Sequence, residues 1–178
     1  KFEDYPDFLP NLTPVEIFTR GSFGGTYWRP IQSQFYSKPL ENYHSKYKFG
    51  LPASYLCASE YDKDINKYEV KVGSTLEQWE QKGWMRKSHP YGRVHWYCDF
   101  CLGLRYKDDV RQIKRWKSFV ARFGKRNTLS PRIRQSLQHW AYDPDEPFGA
   151  SNIESSWLKS VRKKPSGASN IESSWLKS

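Results

Sequence analysis

Cys98-Asp99-Phe100-Cys101 sets two thiols three residues apart, with His95 three residues upstream. Cys57 supplies a fourth possible ligand, the minimum for a closed zinc site. The neighbours argue against zinc: Trp96, Tyr97 and Phe100 stand where a zinc knuckle has glycine and small polar residues. Buried structural thiols are expected instead, with no metal and no cofactor. Three cysteines also make no disulfide framework, which points to an intracellular, reducing compartment. His95 and Asp99 are spaced i and i+4, so on a helix they share a face and form a candidate general base with an orienting carboxylate. His139, preceded by Arg132 and Gln135 on a later helical segment, is the other catalytic candidate; a packed core histidine is the competing reading for both. Asp62-Lys63-Asp64-Ile65-Asn66 opens like a calcium loop but has Lys67 where glycine is needed and Gly73 where the bidentate Glu belongs, so that likeness fails. No phosphate-cradling Walker loop, nucleophile elbow or paired-histidine metal motif occurs in the sequence.

The formal charge of +10 is unevenly spread. Residues 1–104 hold 13 Lys/Arg against 12 Asp/Glu, residues 105–134 hold 11 against 2, and residues 135–178 hold 5 of each. Nearly all the excess sits in the middle segment, as on an anion-binding surface. At about 100° per residue, Arg111, Arg115 and Arg122 fall on one helical face, flanked by Lys114 and Lys117. Lys125, Arg126, Arg132 and Arg134 continue the basic track. Guanidinium forks carried by a rigid helix can meet successive phosphates bidentately, so these nine residues are the candidate nucleic-acid contacts. A solvated face, or pairing with the acids of the first segment, is the alternative.

The elements that must carry these groups are partly signposted. Thr13-Pro14-Val15-Glu16 is a capping box with proline at the first helical position, predicting a short helix from Pro14 to Arg20. The stretch from Ser22 to Pro52 is crowded with Gly, Pro, Ser and aromatics and predicts ordered irregular chain pinned by buried rings, with Gly24-Gly25 in a tight turn. Alternation of Tyr68, Val70 and Val72 with charged neighbours predicts a strand over 66–73, and Ser74 to Glu77 a second capping box. Residues 93–102 alternate like a strand yet suit an all-apolar helix, and helix is preferred because a helix follows. That following helix runs from Asp108 or Asp109 to Gly124, with Ile113, Trp116, Phe119, Val120 and Phe123 on its core face. A final helix is capped by Ser130 with Pro131 at its start, and order is expected to end near Asp143-Pro144.

GASNIESSWLKS then occurs twice without substitution, at 149–160 and 167–178. Each copy has a capping box and an apolar edge: Ile153, Trp157 and Leu158 in the first, Ile171, Trp175 and Leu176 in the second. About two turns of helix do not hold alone in water, so each copy needs a groove on this domain or on a protein partner. The linker VRKKPS interrupts any continuous rod, and one groove cannot seat both copies at once. A silent duplication, an artificially added copy, or a disordered tail without a partner are the plainer readings.

SFGGTYWRPI, GWMRKSHPYG, DDVRQIKRW and RQSLQHWAY resemble signature segments of a family of small proteins of unknown function, over roughly residues 5–142. The resemblance implies no activity, cofactor or catalytic residue. The expected architecture is a mainly α single domain, alternatively α+β, with aromatic-rich loops and a short strand over residues 1–142, plus a repeat tail over 143–178. No run of eighteen apolar residues is present, so no membrane span is expected, and KFEDYPDFLP has neither the basic nor the apolar region of a leader. Three functions follow in order: a nucleic-acid-binding module working through the arginine stripe, an adaptor gripping a partner through the tandem motifs, and an enzyme acting on nucleic acid or a phosphorylated ligand.

Overall fold

The computed structural model describes residues 2–125, 129–146, 157, 159 and 160. The described chain is mainly α-helical, with no sheet. Six α-helices follow in order: α1 Pro14–Thr19, α2 Ala53–Leu56, α3 Leu76–Gln81, α4 Arg93–Cys101, α5 Asp109–Phe123 and α6 Pro131–Gln138, with a 3₁₀ turn at Tyr43–Tyr47. The Thr13/Glu16 capping box forms in both directions, and Ser130 caps α6 through the Ile133 amide, so these starts are set by local hydrogen bonding. The second capping box is displaced by one residue: Thr75 and Gln78 form it, in place of Ser74 and Glu77.

The strand expected over 66–73 does not form. The buried Asn66 side chain closes a local turn instead, donating to the Tyr61 hydroxyl at 2.8 Å and the Val70 carbonyl at 2.9 Å, while Glu69 takes a left-handed φ of 55°. An alternating pattern thus arises from a loop, where side-chain competition for the backbone overrides strand propensity. Two isolated antiparallel bridges, Ile31 with Leu40 and Arg86 with His89, are the extended pairings among the described residues.

Helix α4 is the centre of the molecule, with every residue from Val94 to Cys101 buried. This explains its ambiguous pattern, since a helix enclosed on all sides has no polar face to reveal a period. Its polar groups are met by the loops around it: the Tyr27 hydroxyl accepts from the His95 amide at 2.8 Å, and Tyr97 donates to the Leu12 carbonyl at 2.6 Å. Phe8, Trp28, Tyr47, Tyr91, Trp96 and Phe100 are all nearly fully buried, so large rings fill the core as the composition requires. Gly25 turns with φ of 83°, and a Cβ there would overlap the Ser54 carbonyl, so the glycine allows two backbone segments to meet.

Candidate nucleotide-binding cleft

Four separate stretches of chain converge on a cavity of about 280 Å³. Phe23 and Tyr27 come from the irregular loop, Trp79, Trp84, Arg86 and His89 from α3 and the segment after it, and Arg93 from the start of α4. Helix α5 contributes Asp108, Gln112, Arg115 and Phe119, and the α6 region Ser136, His139 and Trp140. A second hollow of about 240 Å³ shares Phe23, Tyr27, Gly73, Ser74 and Trp79 with the first and brings in Arg29, Tyr61 and Lys71. The two hollows adjoin at these shared residues.

The walls are aromatic and the charge is positive. Phe119 and Trp140 stack at 4.5 Å and 8°, and the Arg93 guanidinium lies 4.0 Å from the centre of the Trp140 ring. Arg93 also donates to the Gln112 carbonyl at 3.0 Å and its side-chain Oε1 at 2.7 Å. Trp84 stands 45% exposed, an unusual position for so large a ring.

Arg86, Arg93 and Arg115 share this cavity with one carboxylate, Asp108, which is already engaged. Asp108 accepts from Arg111 Nε at 2.5 Å and Nη2 at 2.8 Å and from Gln112 at 3.0 Å, while Arg86 stays 3.9 Å away. Burial, followed by repulsion from Arg115 and Arg111, pushes the pKa of Arg93 well below its ordinary value. Arg115 is lowered in the same direction, by burial and then by Arg111. Crowded, partly desolvated cations of one sign are an arrangement that an anion relieves.

The basic track read from the sequence is therefore divided. Arg115 faces the cavity, whereas Arg111 is a clamp on Asp108. Arg134 is held by Asp145, and Lys117 lies 3.6 Å from Asp7. Lys114, Arg122, Lys125 and Arg132 are exposed, and Arg126 lies outside the described residues. Arg86, Arg93, Trp79 and Trp84 were not singled out in the sequence, because residues 1–104 are nearly balanced in charge as a whole, which hides the local run of Lys82, Arg86, Lys87 and Arg93 with no acid between Glu80 and Asp99. The sequence signal that marks two of the cavity residues is a neighbouring glycine, Gly83 before Trp84 and Gly92 before Arg93.

The histidines are rearranged too. His95 is 0% exposed and shares no bond with Asp99, although helix spacing had paired them. Neither of its ring nitrogens finds a hydrogen-bond partner among the described residues, which removes it from any surface chemistry. The partner of Asp99 is His89, with Nε2 at 3.1 Å from Oδ2. Asp99 also accepts from the Tyr47 hydroxyl at 2.5 Å and the Tyr106 hydroxyl at 2.8 Å. Burial alone would raise this carboxyl, but the His89 bond and nearby positive charge hold it well below the usual carboxylate range. With Nε2–H donating to Asp99, His89 Nδ1 is left to accept from Ser88, 3.2 Å away. His139 lines the cavity, stacks on Phe23 at 4.1 Å, and donates from Nε2 to the Ser22 carbonyl at 2.7 Å, which leaves Nδ1 as its acceptor.

Cys98 and Cys101 are buried thiols within α4 and Cys57 is half-buried, and none of the three is in a disulfide. Among the described residues no group of three His, Cys, Asp or Glu side chains is placed to hold a metal. No described helix is long and apolar enough to cross a membrane. Of the residues read as partner-binding, Trp157 is described and is buried, whereas Ile153, Leu158, Ile171, Trp175 and Leu176 lie outside the described residues. Comparison with protein-family models, curated proteins and solved structures returns no match.

Proposed function

We propose that the chain is a nucleic-acid-binding module whose groove takes a single strand, with bases stacked on its rings and phosphates on its arginines. The observation that carries this reading is the cavity itself, where three guanidiniums face one carboxylate that Arg111 already occupies, between walls of Trp and Phe. Rings offer a surface to any base, and guanidinium forks fit phosphate oxygens, so the pairing suits a nucleotide unit better than a simple anion or an apolar ligand. The adjoining hollow with Arg29 and Lys71 extends the groove to a neighbouring unit. Exposed Lys114, Arg122 and Lys125 add a diffuse attraction along α5.

Fluorescence anisotropy with a labelled single-stranded oligonucleotide of about ten residues tests this. Three phosphate contacts at about 0.7 released counterions each give a log–log salt slope of about −2. Affinity should then fall roughly fifteen-fold between about 50 and 200 mM salt. Trp84→Ala should weaken binding by about 1–3 kcal/mol without changing that slope. A flat salt response, or Trp84→Ala binding like the parent chain, overturns the reading.

A further inference from the structure

Trp157, from the first repeat, is seated in the body of the molecule. It is 5% exposed, its ring stacks on Phe49 at 5.6 Å and 21°, and its Nε1–H donates to the Tyr47 carbonyl at 2.7 Å. A tryptophan with its apolar body covered and its one donor satisfied is recognised as an anchor residue is recognised at an interface. Trp157, Lys159 and Ser160 are helical, and Ser160 Oγ donates back to the Trp157 carbonyl at 2.7 Å. The seat is held from inside the domain: Tyr47 bonds Asp99, and Phe49 stacks on Tyr47 at 5.4 Å and packs against Phe18 at 5.0 Å.

Residues 167–178 repeat 149–160 without change, so Trp175 stands in the same local sequence as Trp157. One indole fills the seat. We infer that the site formed by Tyr47 and Phe49 is a recognition site for the repeat, and that the two copies alternate in it through Trp157 and Trp175. From Glu146, at the end of the packed body, the tether is 11 residues to Trp157 and 29 to Trp175. Loop closure scales with about the three-halves power of length, so the first copy is favoured about four-fold. While one SNIESSWLKS is seated, the other is presented to the surroundings, and the tail exchanges which one that is.

The full chain labelled with ¹⁵N-tryptophan reads this directly. Trp157→Ala should keep one seat-bonded indole N–H signal, now from Trp175, and Trp157→Ala/Trp175→Ala should lose it. Labelled GASNIESSWLKS peptide should bind the double variant and bind the parent chain at least about ten-fold more weakly, because a tethered copy competes at high effective concentration. Loss of the seat-bonded signal in Trp157→Ala alone overturns the inference, as does a folded double variant that refuses the peptide. The parent chain supplies a reading that needs no folded variant: its Trp175 signal should be split about 4:1, or shifted proportionately, between the unseated and seated positions. An unsplit, unshifted Trp175 signal overturns alternation. A Trp157→Ala chain that fills the seat only as it dimerises in sedimentation overturns it in favour of exchange between molecules.

Discussion

His139 is built into the fold as a neutral base, and its environment sets a pH dependence. Burial lowers its pKa from 6.5 to about 4, opposed by the bond to the Ser22 carbonyl, and His95 is pushed the same way by burial and by His89. For a histidine depressed in the folded state, the unfolded chain takes up the proton first. Both states are neutral above about pH 6.5, and stability declines as pH falls from there to about 4, where the folded ring is protonated as well. Over that span His139 accounts for about 3 kcal/mol. His139→Gln, which keeps a donor for Ser22, should flatten the stability profile between those limits. Urea titrations across the range measure this, and a profile parallel to the parent's would refute it. At Gly25 a single methyl is enough to matter: its φ of 83° and the Ser54 carbonyl beside it mean that Gly25→Ala should cost more than about 2 kcal/mol in the same titrations.

At the scale of elements, α5 performs two tasks that its sequence presents as one. Its arginine stripe was legible from periodicity, and so were its Asp start and Gly stop, because an amphipathic helix at a domain surface states its own orientation. That Arg111 spends its charge on Asp108 while Arg115 keeps its charge for the cavity was not legible, since both lie on one face and differ only in the tertiary neighbour each meets. The consequence is a contrast between adjacent turns. Arg115→Gln should weaken oligonucleotide binding about ten-fold and reduce the salt slope by about 0.7, as expected for a lost phosphate contact. Arg111→Gln should weaken it as well, but by releasing Asp108 to compete for Arg86 and Arg115; Arg111→Gln/Asp108→Asn should then recover most of the loss. Failure of the second substitution to restore affinity would assign Arg111 a direct contact. Helix α4 shows the opposite limit, where complete burial erased the pattern and the strand-like alternation of 66–73 came from a loop held by Asn66.

Across the whole molecule, the ends of the packed body are stitched together, which explains why the groove could not be read along the chain. Its walls come from segments near residues 25, 85, 112 and 138, of which the one near 112 alone carries a strong signal in the sequence, and long-range contacts bring them together. The stitch is at Asp143, which is fully buried where the sequence suggested that order ends. Asn11 donates to the Asp143 carbonyl and accepts from its amide, both at 2.7 Å, and the Asp143 carboxylate takes Arg20 and, at 2.8 Å, Lys67. Burial raises this carboxyl, but its bonds from Lys67, the Asp145 amide and Arg20 hold it below the usual range. Its stabilisation is therefore present above about pH 4 and is lost as pH falls through the lower folded-state value. Asp143→Ala strands Arg20 and Lys67 without a shared carboxylate and should cost about 3 kcal/mol, or roughly 10 °C in Tm for a chain of this size. Because α1, the 63–67 loop and the end of α6 meet at this one residue, the loss should not stay local. Hydrogen exchange in Asp143→Ala should rise together at Ile17, Asn66 and Leu137, and a rise confined to the residues after 138 would show that the three segments hold without it.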